Sequence, residues 1–425
     1  MLAICVPHFE CMGERACAHR RLRRKGDMLV DEPSSTTRSQ GTICRGGLYT
    51  SGMKSKRFMP LVNLALRRLR QRTDVDFSRL EAEIICPEET QACGPLIYLD
   101  GQLDRVKMGS PFNPLDVELE QIRATEVWHA PAIRYTLSDC MVHDAGFDKF
   151  KTSYRKSRLR QPDFLFSPVT EVASLSYGMT STSHMFFGHW LQDALPAALL
   201  ARPDEALLLD VLTDGAHAAQ YVKAAELHPL PQGVYLARKL HFYQDFSQGP
   251  SKRARLATLR ARLAANISDG QRYKPGSAVY FRRGHTGVAR LIENEDELIR
   301  VLTDRGFEIF DLEGASVADI QQRFRHARMV VSIEGSQQCH LSFAMQPGAC
   351  LISLIPSDRF TIVLLGYARA VDLLPGFLVI DPAKEGYRVN LSDLLRTLDL
   401  AEERLQNQPA NNSPASHTAV NPAIP

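Results

Sequence analysis

The chain of 425 residues lacks most of the signatures that assign a protein directly. No run of about 18 or more apolar residues is present, so no transmembrane helix is expected. The first residues do not form the continuous apolar core of a secretory signal. The nine cysteines, from Cys5 to Cys350, are odd in number and widely spaced, and none forms a C-x-x-C pair. That pattern supplies neither a disulfide framework nor a zinc signature, and it suits a reducing compartment, here read as cytoplasmic. Neither the G-x-G-x-x-G fingerprint nor the Walker A pattern occurs, which disfavours dinucleotide-binding and P-loop readings. Charge of one sign is also scarce. A formal net charge of +3 makes no case for a nucleic-acid partner.

What the sequence does hold is a globular composition, 44% hydrophobic and 23% charged, long enough for two domains with their own cores. Four segments are expected. Residues 1–52 mix scattered cysteines with the basic cluster His19 to Lys25 and a Ser/Thr-rich stretch, and read as disordered or as an over-extended start before Met53. Residues 53–268 form an N-terminal α/β domain. Residues 269–402 form a C-terminal Rossmann-like domain. Residues 403–425, rich in Asn, Pro, Ala and Ser, form a disordered tail. Within the second segment, residues 53–72 place Phe58, Leu61, Val62, Leu66 and Leu69 among basic residues at helical spacing. Such a helix either lies on an anionic membrane surface or packs on its own domain, and the pattern leaves both open.

The clearest periodicity begins at Ser277. Short β-rich runs at 277–282, 307–312, 329–333 and 351–355 alternate with helices at 295–305, 317–327 and 336–345. Asn294 is the expected cap of the first helix and Ser316, with Asp319, of the second. This alternation specifies an α/β class with a right-handed parallel sheet. Ligands of such a sheet bind beyond the carboxyl ends of the strands.

Two segments fall at those ends. In Ile333-Glu334-Gly335-Ser336-Gln337 a buried strand turns into a helix, and the glycine allows close approach of an anion to free backbone N–H groups. In Tyr280 to His285, followed by Arg290, a strand ends in Arg282-Arg283. Guanidinium forks there match phosphate oxygens in pairs, although the sequence does not say which of the two adjacent arginines points inward. A third segment lies upstream. His189 and Asp193 are four residues apart, so on a helix they share a face. That pair suits an imidazole oriented for proton transfer, and equally a structural pair holding the helix in place.

Together these segments resemble the family-61 glycosyltransferases, including bacterial capsule and lipopolysaccharide-type members. Gly188-His189-Trp190, Asp193, Leu195 and Pro196 match a G-H-W-x-x-D-x-L-P element. Tyr280 to Arg283, then Arg290 before Asn294-Glu295, match an arginine-ended strand. Val330 to Ser336, with Gln337 and His340, match the bacterial form of the G-S turn. The resemblance spans roughly Val127 to Pro356. It implies a GT-B architecture of two Rossmann-like domains facing a cleft. It further implies transfer of a sugar, with inversion, from a nucleotide-sugar donor to a glycan or other hydroxyl acceptor. Neither a cofactor nor an obligatory metal is implied, and no clear D-x-D element is present. Arg283, Arg290, Gly335, Ser336, Gln337 and His340 would bind the donor. His189, Asp193 and Glu334 are the candidates for the base. Surface-polysaccharide assembly is the implied setting, with contact to the cytoplasmic membrane face through 53–72 and no nucleic acid. The competing readings are a catalytically silent scaffold of a polysaccharide assembly complex and a sugar-nucleotide epimerase of similar shape.

Overall fold

The computed structural model describes residues 56–69, 74–111, 113–156, 167–180, 182–210, 212, 216–267, 273–284 and 290–408. All belong to one compact unit, Ser55–Pro425. The expectations for 1–52, for the tail beyond 408 and for His285 fall outside these residues. The last helix, Leu391–Gln406, continues past the boundary expected at 402.

The first sheet is built from β1 (Glu81–Cys86), β4 (Ala132–His143), β5 (Gly146–Lys149), β6 (Thr152–Arg155), β7 (Val169–Gly178), β8 (Ala206–Leu209) and β9 (Val234–Gln244). Its order is β6-β5-β4-β9-β7-β8, with β1 on β4. Hairpins make β4, β5 and β6 antiparallel, whereas β9, β7 and β8 run parallel. This half is therefore a mixed sheet: β4 reaches β5 through the tight turn Asp144-Ala145, a connection only antiparallel strands permit. A separate ribbon pairs β2 (Glu89–Ala92) with β3 (Glu126–His129).

The second sheet holds β10 (Ser277–Arg282), β11 (Phe307–Asp311), β12 (Ala327–Ile333), β13 (Cys350–Pro356), β14 (Leu374–Ala383) and β15 (Gly386–Arg388), in the order β11-β10-β12-β13-β14-β15. Every pair but the last is parallel. β12 and β13 are buried along both faces, from Met329 to Pro356. Their residues are accordingly continuous apolar runs rather than an alternation. The expected capping box forms: Ser316 Oγ accepts from Asp319 N at 3.1 Å, and Asp319 accepts from Ser316 N at 3.0 Å. Asn294 does not cap its helix. Its side chain instead pairs with the backbone N–H and carbonyl of Val389, both at 3.0 Å, and so ties that helix to the chain beyond β15.

Chain continuity and packing part company between Cys93 and Arg123. The run Leu96 to Leu99 contributes a single bridge from Ile97 to Gly376 on β14. Glycine is needed there, because a Cβ at 376 would lie 2.5 Å from the Ile97 carbonyl oxygen. Farther along, Arg105 pairs with Asp381 and Asp393, and Glu118 accepts from Thr361 Oγ1 and Ile362 N at 2.9 Å each. Leu96 and Ile122 join Ile355, Phe360, Phe377 and Val379 in one core. This segment from the first half of the chain thus covers the second sheet.

The basic helix expected at 53–72 is observed as Met59–Arg68, with Pro60 at its start, where a missing N–H costs nothing. Asn63 is wholly buried and its amide reaches Asp148 Oδ1 and the Lys149 carbonyl at 2.8 Å and the Thr152 carbonyl at 3.0 Å. Lys56 pairs with Asp139 at 2.6 Å, and Arg67 with Asp74. The helix is therefore pinned to the β5–β6 hairpin. No helix among the described residues is long and apolar enough to cross a membrane. Asn63→Ala should lower stability by about 1–3 kcal/mol, because three acceptors lose their donor. A thermal denaturation midpoint unchanged from wild type would refute that account of the helix.

Candidate active site

The G-H-W element begins a helical segment, Phe187 to Leu200, directly after β7 and the turn that follows it. The segment widens into a π-turn over Trp190–Ala194. Pro196 explains this: it lacks the N–H that would close an α-turn onto the Gln192 carbonyl, and Leu195 N bonds back to Trp190 O instead. Trp190 is buried and its indole N–H donates to the Asp210 carbonyl at 2.9 Å.

His189 and Asp193 do share a face. His189 Nδ1 lies 3.0 Å from Asp193 Oδ2, and the imidazole is 31% exposed against 4% for the carboxylate. Two residues the sequence did not single out complete the cluster. Lys252, wholly buried on the helix Pro250–Ala265, places Nζ 2.8 Å from Asp193 Oδ1. Tyr367, on the helix Val363–Arg369, places its hydroxyl 3.2 Å from His189 Nδ1 and 3.4 Å from Asp193 Oδ2. Burial pushes the Asp193 pKa up, but Lys252, followed by His189, more than offsets this, and the net displacement is below the ordinary carboxylate value. Asp193 is therefore an anion. An anion only accepts, so the Nδ1 facing it carries the proton and Nε2 is the basic nitrogen of His189.

The second cluster stands at the carboxyl end of β10 and β12. Arg282 points away from it, to Glu295 at 3.0 Å and Asp311 at 3.4 Å. Arg283, on the opposite side of the chain, donates to the Glu334 carbonyl at 3.3 Å, and Arg290 donates to the same oxygen at 2.8 Å. Arg290 also lies 3.2 Å from the Glu334 carboxylate, both side chains being more than nine-tenths buried. The two guanidinium groups close over Gly335. A Cβ there would stand 2.2 Å from Arg283 Nη1 and 2.7 Å from Arg290 Nη1. Burial, then the charge of Arg290, brings the Arg283 pKa down to about 10, with Glu334 opposing and Arg359 adding to the shift. Arg290 is lowered in the same direction, chiefly by burial. Both remain cations at neutral pH and are held where an anion would relieve them.

The expected helix at 336–345 opens as a 3-10 turn, Ser336–His340, before a single α-turn, Leu341–Ala344. So short a segment has little dipole, and the positive character of the site comes from the guanidinium groups. Ser336 stays partly accessible at the turn. Gln337 is committed internally, its amide donating to the Ile333 carbonyl at 2.6 Å. His340 is a correction. It is buried against Phe187 and Tyr221, with Nδ1 at 2.8 Å from the Tyr221 hydroxyl, and burial followed by His217 holds its pKa well below the usual imidazole value. It is a neutral core side chain, not a phosphate ligand.

The two clusters adjoin. A Cβ on Gly188 would lie 3.3 Å from Ser336 Oγ and 3.0 Å from Cys339 Sγ. The residue before His189 therefore rests on the turn that carries Gly335. A cavity of about 580 Å³ lies on the far side of Trp190, lined mostly by apolar residues such as Leu209, Val222 and Leu230. Neither the His189–Asp193 pair nor Arg283 and Arg290 line it. Among the described residues, no group of three or more His, Cys, Asp or Glu is placed to hold a metal ion.

Removing Lys252 tests the dyad's support. Lys252→Met should cost about 3–5 kcal/mol by leaving Asp193 buried without its main counter-charge. Asp193 has a depressed folded pKa, so its contribution is present above the unfolded carboxylate value and disappears as pH falls through the folded one. In the variant the folded value rises, and the acid limb of the stability curve should shift to higher pH. Identical acid limbs for the two proteins would remove Lys252 as the counter-ion.

No curated protein matches the chain. Among solved structures, rubredoxin oxygen:oxidoreductase from the anaerobe Desulfovibrio gigas is similar at 11% identity, over 56% of this chain and 58% of that one, with a TM-score of 0.22. The chain thus spans little over half the length of that protein, and a score so low carries no argument. Residues 187–352 hold the His189–Asp193 pair, both site arginines and the Gly335 turn, and they match the family described as Glycosyltransferase 61.

Proposed function

We propose that the protein is an inverting glycosyltransferase that moves a hexosyl or pentosyl group from a nucleoside-diphosphate sugar to a hydroxyl of a glycan. The observation that carries this reading is the convergence of Arg283 and Arg290 on one carbonyl over a glycine that leaves no room for a side chain. Two guanidinium groups meeting at one point suit the oxygens of a phosphate group, and the diphosphate of a donor supplies them. In this reading the two sheets are the facing halves of a GT-B enzyme.

In the reaction the acceptor hydroxyl attacks the anomeric carbon from the face opposite the leaving group. The bond from that carbon to the diphosphate oxygen breaks, and its electron pair leaves on the diphosphate. The hydroxyl proton passes to Nε2 of His189. Asp193 fixes the tautomer and stabilises the imidazolium that forms. The direct base is His189 rather than Asp193, because Lys252 and Tyr367 already occupy the Asp193 oxygens. Glu334 serves as the charge partner of Arg290. Arg283, Arg290 and the Gly335-Ser336 backbone stabilise the charge on the departing diphosphate, a task that a divalent cation performs in other transferases. The setting implied is surface-polysaccharide assembly at the cytoplasmic membrane face.

Calorimetric titration of the full chain with UDP, GDP, CDP, CMP and dTDP, with and without EDTA, tests the donor site. Saturable binding of one nucleotide is expected, insensitive to EDTA and weakened about a hundredfold or more in Arg283→Ala. Gly335→Ala should weaken it as well, with little loss of thermal stability, because the added methyl displaces only the ends of flexible side chains. Failure of every nucleotide to bind would discard the reading. His189→Ala should lower kcat by about 10²- to 10⁴-fold and leave nucleotide binding intact. Unchanged turnover would remove His189 as the base.

A further inference from the structure

The turn after β13 carries a group that neither the motifs nor the mechanism has used. β13 lies beside β12, with Ile333 opposite Leu354 and Glu334 N bonded to the Leu354 carbonyl at 2.9 Å. The turn Ser357-Asp358-Arg359 follows β13 as Glu334-Gly335-Ser336 follows its neighbour β12, so both leave the sheet at its carboxyl edge. The charges of Asp358, Arg359 and Arg290 all act on the Tyr387 hydroxyl, Tyr387 N donates to the Leu291 carbonyl at 2.9 Å, and Ile292 bridges Tyr387. This path ties Arg359 to the corner from which Arg290 projects. The positive charge of Arg359 acts on both Arg283 and Arg290 and helps lower each pKa, as a cation close to both must.

Unsatisfied polar atoms gather at this corner. Nε of Arg290 and Nε of Arg359 are buried N–H donors with no hydrogen-bond partner among the described residues. A buried orphan donor of this kind costs about 1–3 kcal/mol, and an anion is the ligand that meets two of them at one corner. Arg290 at least has Glu334 as an ion-pair partner. No acidic side chain among the described residues lies within ion-pair distance of Arg359.

We propose that Arg359 is a third anion-binding guanidinium of the site, and that it commits the site to a two-centre anion, a diphosphate, over a single phosphate. The proposal rests on the donor reading given above. Arg283 and Arg290 converge on one point and suit one phosphate group. A third fork on the neighbouring strand reaches the second. A donor with one phosphate leaves the half-buried Arg359 unpaired, and a charge left unpaired is what makes a polar site selective.

The test titrates the full chain with inorganic pyrophosphate and with inorganic phosphate, as wild type, Arg359→Gln, Arg359→Lys and Arg283→Ala. Wild type should prefer pyrophosphate. Arg359→Gln should lose about tenfold or more in pyrophosphate affinity and less than about threefold for phosphate, collapsing the preference. Arg359→Lys keeps the charge without the fork and should lose part of the preference; it carries the test if the glutamine variant does not fold. Arg283→Ala should weaken both ligands. If Arg283→Ala weakens binding while both Arg359 variants match wild type, the donor site stands and the role of Arg359 falls. Equal losses for the two anions in Arg359→Gln also overturn it, because Arg359 would then supply charge without selection. Wild type that binds neither anion overturns the proposal and the donor reading together.

Discussion

One buried carboxylate holds the candidate site together. Asp193 is 3% exposed, and its oxygens meet Lys252, His189 and Tyr367, which arrive on three different helical elements. Those elements pack on different sheets: the helical segment from Phe187 follows the first, and the helix bearing Tyr367 packs against β14 of the second. A lone carboxylate at this depth would be neutral or would break the fold. Ionised and satisfied, it fixes the rotamer and tautomer of His189 and clamps the helix against the sheet that carries the arginines. Stability and chemistry here share the same charges.

The legible parts of the sequence were those where local physics decides. The strands from Ser277 to Pro356 and the capping box at Ser316 follow from apolar runs and side-chain reach, and they stand where periodicity placed them. His189 and Asp193 met because helical spacing alone brings them together. Lys252 and Tyr367 were illegible because nothing local marks them: Lys252 sits in a helix full of basic residues, and its burial depends on a carboxylate 59 positions away. Arg359 follows a proline-ended strand and resembles any solvated turn. Adjacent Arg282 and Arg283 could be separated only after Glu295 and Asp311 were seen to claim the first. His340 misled for the opposite reason. A histidine beside a G-S turn suggests a ligand, whereas its aromatic neighbours Phe187 and Tyr221 come from more than a hundred residues upstream.

The anion site illustrates how a glycine can matter without an unusual backbone. Gly335 is extended, at φ 162° and ψ 167°, a conformation open to any residue. What it supplies is space. The ends of two arginines occupy the volume where a methyl group would be, and both donate to the carbonyl of the preceding residue. The charges stay close because the backbone dipole between them partly screens their repulsion.

The strap formed by residues 93–123 has a consequence for how the chain is made. Arg105 waits for Asp381, 276 residues downstream, and Glu118 for Thr361, 243 residues downstream. During synthesis this segment leaves the ribosome long before its partners exist, and Leu96 and Ile122 have no core to enter until β13 and β14 follow. Contacts of such long sequence separation make folding slow and keep apolar surface exposed meanwhile. The early part of this protein therefore cannot complete its packing until almost the whole chain has been released.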